Sequence, residues 1–355
     1  EEAPRLGQEV RERQEHQRPV RSAEKAQGLG GDGGGDHGVA SLVRQIPGVR
    51  AASTGRYTEA PRVSMPPSLS LLSWGLNEAA LLGSFFERAT AALESTGSSW
   101  EILFVNDGST DATGSIADAA ARRDQRIRVL HNEKNLNIGP SFLRALREAR
   151  HDLVMWQTVD WAFDLHHLPL FVRLAERFDV IVGVRPVPVR PLSHVPLLRS
   201  VYRVRSRSDS FGKAVISLGN YYTVRLLFGV PFHDFQSLMI FPRTVLQSMP
   251  LEGRTSFLGP EMLVRAHALG LRFIEVPVRF QKREQGAAKG TKPLTVLRAV
   301  QDTLVNWMRW GLSLRRSAMP VRGLQIHRVM EPWTLDEETI RLAAPLFAEF
   351  RTVDD

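Results

Sequence analysis

From Ser68 onward, short apolar runs alternate with amphipathic stretches. No other feature narrows the outcome as much, because this is the pattern of a mostly parallel sheet flanked by helices. SLSLLSW reads as a first buried strand, and NEAALLGSFFERATAALES as a helix with Leu81, Phe85, Phe86 and Ala89 on one face. WEILFVND is a second strand, and GSTDATGSIADAAARR turns into a helix capped by Thr110 or Asp111. IRVLHN, HDLVMWQTVD and FDVIVGVR supply the third, fourth and fifth strands. GPSFLRALREAR is a helix that Pro140 opens near its first turn. No internal repeat is evident.

Residues 1 to about 65 differ in texture, being polar, charged and glycine-rich, and are expected to form a flexible tail. Gly28, Gly30 and Gly33 spell a literal G-x-G-x-x-G there, but no strand precedes it and no helix follows, so it reads as low-complexity glycine. The remainder of the 355 residues, with 43% hydrophobic content, can fill a sizeable core. With no cysteine, disulfides, thiol catalysis and cysteine-based zinc sites are excluded, which suits a cytoplasmic setting.

A formal net charge of +8 favours polyanionic partners: nucleic acid, anionic lipid or phosphorylated substrates. The basic residues are spread widely and no aromatic-rich RNA motif or recognition helix accompanies them, so no nucleic acid is expected. The chain has no uncharged apolar run of about 18 residues, which argues against a membrane-spanning helix. The N-terminal stretch also lacks the apolar core of a secretory signal.

In open α/β sheets, ligands bind beyond the carboxyl ends of the strands. Those ends are polar here: Asn77-Glu78 after the first strand, Asn106-Asp107-Gly108-Ser109 at the second, and Asp160 followed by Asp164 at the fourth. Ser109, Thr110 and Asp111 are explained by turn and cap chemistry. Asp107 and Asp160 share the mouth of one sheet, which suggests a nucleotide and a metal. One carboxylate can accept hydrogen bonds from a base edge or ribose, while another holds a hard divalent cation.

The segments LSLLSWGLNE, ILFVNDGSTD, NLNIGPSFLRALREARHDLVMWQTVD, HDFQSLMIFPR, GPEMLVRAHALGLRFIEVPVRF and REQGAAKG occur in that order over about residues 68–310. In this the chain resembles the family 2 glycosyltransferases of GT-A fold, and within them the polyprenyl-phosphate sugar synthases of the dolichyl-phosphate mannose synthase type. The resemblance implies that Glu78 and Asp107 bind the nucleoside of a GDP- or UDP-sugar. Ser73, Trp74, Asn77, Gly108 and Arg185 complete that donor-binding set.

The resemblance also places Asp160 at the second position of a D-x-D motif for Mg2+ or Mn2+. Thr158 occupies the first position, and Ala162 stands where a glutamine is usual. Asp164 could supply the missing ligand, or a water could. Trp74, Leu76, Leu238 and Ala288 are further departures from the family pattern, bearing on donor and acceptor fit. Arg283 and Lys289, flanking Gly286, are implied phosphate-binding groups.

Asp160, Asp234 and Glu261 form the implied catalytic set. A lipid phosphate acceptor is already an anion and needs little proton abstraction, whereas a hydroxyl acceptor needs a general base, for which Asp234 or Glu261 is available. Each also has a structural reading, Asp234 as a turn former and Glu261 as a favourable charge in a first helical turn. The expected product is an inverted sugar on a polyprenyl phosphate at the cytosolic face of a membrane. Two rivals stand beside this: a soluble transferase acting on a small-molecule or saccharide hydroxyl, and a sugar-nucleotide-binding scaffold that has lost catalysis.

The expected organisation is a tail over 1–65, a transferase domain over 66–292, an amphipathic helix over 293–317, and an extension over 318–355 with a short helix. Leu297, Val300, Leu304, Trp307 or Met308, and Gly311 form one stripe of the third segment. That stripe suits either an anionic membrane surface or the protein's own core. RPVPVRPLSHVPLLRSVYRVRSR is basic and apolar, and its prolines argue for a loop.

Overall fold

The fold is built on strands whose residues alternate between two apolar layers. The computed structural model describes residues 66–185, 211–281, 293–317 and 324–350. The tail over 1–65, most of the proline-rich stretch and the phosphate-binding candidates Arg283 and Lys289 lie outside them. The first half runs β1 (Leu69–Gly75), α1 (Ala79–Glu94), β2 (Trp100–Asp107), α2 (Thr113–Arg123), β3 (Ile127–Asn132), α3 (Ile138–Glu148), β4 (Leu153–Trp156), α4 (Leu168–Leu174) and β5 (Val180–Val184). Then come α5 (Phe211–Phe228), β6 (Met239–Pro242), α6 (Arg243–Ser248), α7 (Leu258–Ala268) and β7 (Phe273–Pro277). The chain continues with α8 (Pro293–Asn306), a π-helical turn (Trp307–Gly311), α9 (Leu312–Ser317), β8 (Ile326–Arg328), α10 (Glu337–Leu342) and α11 (Ala344–Glu349).

The eight strands form one sheet in the order β3-β2-β1-β4-β6-β5-β7-β8. All neighbours are parallel except at β6, which runs antiparallel to both β4 and β5. The mostly parallel α/β sheet expected from sequence is therefore present. Because β6 is reversed, its entry lies at the edge where its neighbours end. The segment before it, bearing Asp234, thus reaches the same rim as the ends of β1, β2, β4 and β5.

Leu69, Leu71, Ile102, Phe104 and Met155 point into one layer with α1 and α4. Leu72, Leu103, Val105 and Val154 point into the other with α3 and α7. This period of two, with both faces covered, is why the strands read as continuous apolar runs. Each fully buried Leu or Phe contributes about 1.5–3 kcal/mol relative to exposure.

Three expectations need local correction. The buried stripe of α1 is Leu82, Phe85, Phe86, Ala89 and Leu93, with Leu81 only packed against its margin. The N-cap of α2 is Ala112, with no side-chain cap, and Asp111 instead accepts from Thr113 N at 2.9 Å. The fourth strand stops at Trp156, so Asp160 sits in a turn beyond it.

Candidate functional site

Three turns are stitched together at the rim. Asn77 adopts φ 54°, a left-handed conformation that asparagine tolerates. Its Oδ1 accepts from Thr110 N at 2.9 Å, and its own N donates to Ser109 Oγ at 3.0 Å. Glu78 N donates to Thr113 Oγ1 at 2.8 Å. The turn after β1 is thereby bound to the turn after β2, which gives Ser109, Thr110 and Thr113 structural tasks. Gly75 leaves room for Glu78, since a Cβ there would lie 3.2 Å from Glu78 Cγ.

Asp107 ends β2 and is buried. Its Oδ1 accepts from Asn132 Nδ2 at 2.7 Å and Leu136 N at 2.8 Å, and its Oδ2 from Asn137 N at 3.0 Å. Three of the roughly four acceptor sites of a carboxylate are thus engaged by the last residue of β3 and the turn after it. Gly108 follows with φ 74°, and a Cβ there would stand 2.5 Å from the Lys134 carbonyl carbon. On β1, Ser73 is fully buried and its Oγ has no hydrogen-bond partner among the described residues. Trp74 packs edge-on to Phe142, which in turn packs edge-on to Trp156.

The Asp160 turn is held from both ends. Gln157 is fully buried, its N donating to Leu72 O at 3.1 Å and its Nε2 to Phe163 O at 2.7 Å. Thr158 O accepts from Trp161 N at 2.9 Å, and Thr158 Oγ1 from Ala162 N at 3.4 Å. The residue at the first motif position therefore closes the turn. Trp161, at φ 53°, packs against Phe85 and carries the Arg88 guanidinium 4.5 Å above its ring.

The turn is also zipped to the chain leaving β7. Asp164 N donates to Arg279 O at 3.0 Å, Gln281 N to Ala162 O at 2.9 Å, and Phe163 bridges Phe280. Arg88 donates to Gln281 Oε1 at 2.8 Å. Asp160 is half-buried, with Oδ1 shielded from solvent. Asp164 Oδ1 accepts from His166 N at 3.0 Å, and Asp164 lines a crevice with His167, Arg279 and Glu349.

Arg185 and Asp234 are brought together as a bidentate pair, Nε to Oδ2 at 2.7 Å and Nη2 to Oδ1 at 2.9 Å. Burial works against the charge on Arg185, yet attraction to Asp234 raises its pKa above the ordinary value. The same guanidinium lies 5.7 Å from the Phe280 ring, joining this pair to the Asp160 turn. Gly183 permits the close approach of the chain entering β6, since a Cβ there would meet Ser237 Oγ at 2.8 Å.

Glu261 makes its hydrogen bonds with a different set of residues. It is fully buried, accepting from Glu252 N at 3.0 Å, Gly253 N at 2.6 Å and Arg265 Nε at 2.8 Å. Burial pushes its carboxyl above the ordinary range, against the lowering effect of Arg265 and the two backbone groups.

A cavity of about 660 Å³ lies at the opposite end of the strands, lined by Trp100, Arg126, Arg128 and Arg150. Arg126 is already paired with Asp124 and Glu94, and Arg128 with Glu101 and Glu148, so two of its three arginines are neutralised.

Asp160 offers a metal a hard oxygen. Among the described residues no group of three or more His, Asp or Glu side chains is positioned to hold one. This donor chemistry fits Mg2+ or Mn2+, which bind through one or two carboxylates with the rest supplied by water and substrate phosphates.

Sequence reasoning missed Arg88, Gln157, Phe280 and Gln281. Gln157 carried a readable signal, as a polar residue directly after an apolar strand. The others act through contacts far apart in the chain, for which no local pattern exists.

Glycosyl transferase family 2 matches residues 76–247. The undecaprenyl-phosphate mannosyltransferase of Micrococcus luteus is 26% identical over 229 residues, covering 62% of this chain and 86% of that protein. The polyprenol monophosphomannose synthase of Mycolicibacterium smegmatis is 29% identical over 225 residues, covering 59% and 76%. Glycosyltransferase AglD of Haloferax volcanii is 28% identical over 271 residues, covering 74% of this chain but only 40% of AglD. Among solved structures, the glucosyl-3-phosphoglycerate synthase of Mycobacterium tuberculosis bound to UDP superposes with a TM-score of 0.47 at 14% identity, covering 68% and 80%.

Proposed function

The chain is a family 2 glycosyltransferase, and from that premise we propose that it moves a hexose from a nucleoside-diphosphate sugar to a polyprenyl phosphate, with inversion and with help from Mg2+ or Mn2+. The observation that carries this reading is the closure of one rim. The Asp160 turn is bonded to Gln281, two residues before the Arg283 segment, and through Phe280 it meets Arg185 and Asp234.

In this reading Glu78, Asp107 and the Ser73–Trp74 backbone receive the nucleoside. Asp160 would hold the cation, and Arg283 and Lys289 add positive charge for the diphosphate. When bound, the cation would offset the negative charge that grows on the leaving diphosphate. Asp164, turned toward its crevice, is the weaker second ligand, so water and donor phosphate oxygens would complete the coordination.

The state of the two candidate bases favours a phosphate acceptor over a hydroxyl. Both oxygens of Asp234 are gripped by Arg185, and Glu261 is sealed from solvent. A hydroxyl acceptor needs a base within hydrogen-bond reach, whereas an ionised phosphate does not. Two relatives, an undecaprenyl-phosphate mannosyltransferase and a polyprenol monophosphomannose synthase, support the same choice.

The third segment supports work at an anionic lipid surface, which in this reading is the cytosolic face of a membrane. Leu297 and Met308 are each 62% exposed, and Val300, Leu304 and Leu312 are exposed beside them. Thr303, Asn306, Trp310 and Gly311 face inward instead. Trp307 donates to Leu227 O at 3.0 Å, so of the two alternatives for the stripe it is Met308 that lies outside. None of the described helices is long and apolar enough to cross a membrane.

One observation favours the scaffold reading: Thr158, where the first motif acid would stand, is spent on closing the turn. Thermal shift with UDP- and GDP-sugars, with and without Mg2+ or Mn2+, separates these outcomes first. A nucleotide that binds the folded state raises the melting temperature with the logarithm of saturation, and the proposal requires a larger rise when the metal is present. A rise without metal dependence would favour the scaffold.

A further inference from the structure

We infer that the C-terminal extension is a clasp for the rim, with Glu349 as a positioning residue for the Asp160 turn. The inference rests on the reading of that turn as the diphosphate-binding element, but its geometry stands independently. The extension lies beyond the residues that the family matches.

The turn from Gln157 to Asp164 has no helix or strand of its own, and an irregular segment at a rim is the kind of element that opens locally. Its partner, the chain at 279–281, has left β7 and is equally irregular. Backbone bonds join the two, yet they fix each only relative to the other. Glu349 ties both to the rest of the molecule. Its Oε1 accepts from Arg279 Nε at 2.7 Å, and its Oε2 pairs with His167, the residue that opens α4 just beyond the turn. Phe350 lies 5.7 Å from the Arg279 guanidinium and lines the same crevice as Asp164.

The platform under Glu349 is rigid. Leu335, Ala343 and Leu346 belong to the main apolar core. Asp336 caps α10 by accepting from Thr339 N at 2.8 Å, and it also accepts from Arg177 Nη2 at 2.8 Å, just after α4. A second arm reaches the Asp234 segment. Arg328 of β8 donates to Glu275 Oε2 at 2.8 Å, and Glu275 Oε1 accepts from His233 N at 2.7 Å, next to Asp234. The extension thus touches both sides of the rim. Since Arg279 is 60% exposed, its pair with Glu349 adds little to global stability, and its consequence is local.

Hydrogen–deuterium exchange on the full chain without ligand tests this, because it does not depend on turnover. In Glu349→Gln and in Arg279→Met, amides of residues 158–167 and 279–281 should exchange at least about tenfold faster than in the wild type, with β1 and β2 unchanged. Arg279→Lys, which keeps a cation facing Glu349, should restore most of the protection. With the sugar nucleotide that the wild type turns over, Glu349→Gln should raise the donor KM about tenfold and leave kcat within about twofold. Wild-type exchange in both Glu349→Gln and Arg279→Met would overturn the clasp, as would a uniform increase across the sheet. Absence of wild-type turnover would count against the transferase reading and leave the exchange result to decide the clasp.

Discussion

Gly108 shows how far a single residue carries the site. Its φ of 74° and the 2.5 Å approach of the Lys134 backbone leave no place for a Cβ. Gly108→Ala should therefore destabilise by about 1–3 kcal/mol, measurable by urea unfolding, and should loosen the turn that Asp107 holds. Arg185 makes a second case. It is nearly buried against Asp234, and Arg185→Met would remove the bidentate guanidinium from that buried carboxylate. A loss of about 3–5 kcal/mol is expected by the same measurement. Gly108 and Asp107 were readable from sequence because strand-end turns demand such residues locally. The joining of Arg185 to Asp234 was not, since 49 positions separate them and only the reversal of β6 brings them face to face.

At the scale of elements, the strands over 69–75, 100–107 and 127–132 follow the apolar runs read from sequence almost residue for residue. Period and length define such segments without reference to the rest of the fold. The insertion of β6 between β4 and β5 was not legible, because strand order depends on pairings that no run encodes. For the extension the sequence alone suggests one short helix. Its described residues form a strand, a 3-10 turn over Pro332–Thr334 and two α-helical segments broken just ahead of Pro345, whose missing N–H and ring favour a new helix start.

The segment over 293–317 was legible as amphipathic but not in its direction. The inward face uses Thr303, Asn306 and Trp310, with Trp310 Nε1 donating to Asn306 Oδ1 at 2.8 Å. A double substitution, Leu304→Gln with Met308→Gln, should leave the melting temperature within about 2 °C, since both side chains are exposed. It should lower cosedimentation with phosphatidylglycerol vesicles at least about fivefold. Unchanged vesicle binding would remove the membrane role of this helix.

Across the whole molecule, the two ends of the sheet do different work. At the end away from the rim, Glu101 is buried and accepts from Ser70 Oγ at 2.8 Å, Arg150 N at 2.7 Å and Arg128 at 2.9 Å. Burial raises its pKa, but these hydrogen bonds and the Arg128 charge outweigh it and hold the carboxyl below its ordinary 4.5. A folded pKa below the unfolded one gives stability that is present above about pH 4.5 and lost as the pH falls through the folded value. Glu101→Gln should therefore cost about 1–3 kcal/mol at pH 7, and the gap to the wild type should narrow in acid.

At the rim, turns from separate strands are bonded to one another, and we propose that sugar is transferred there from a diphosphate donor to lipid. The most direct measurement follows labelled sugar from a nucleoside-diphosphate donor into polyprenyl phosphate and into soluble acceptors, for the wild type and for Asp160→Asn. The account predicts label in the lipid fraction, dependent on added Mn2+ or Mg2+, and reduced at least about 100-fold in the variant while its fold is retained. Label in soluble acceptors alone, or equal transfer by Asp160→Asn, would contradict it.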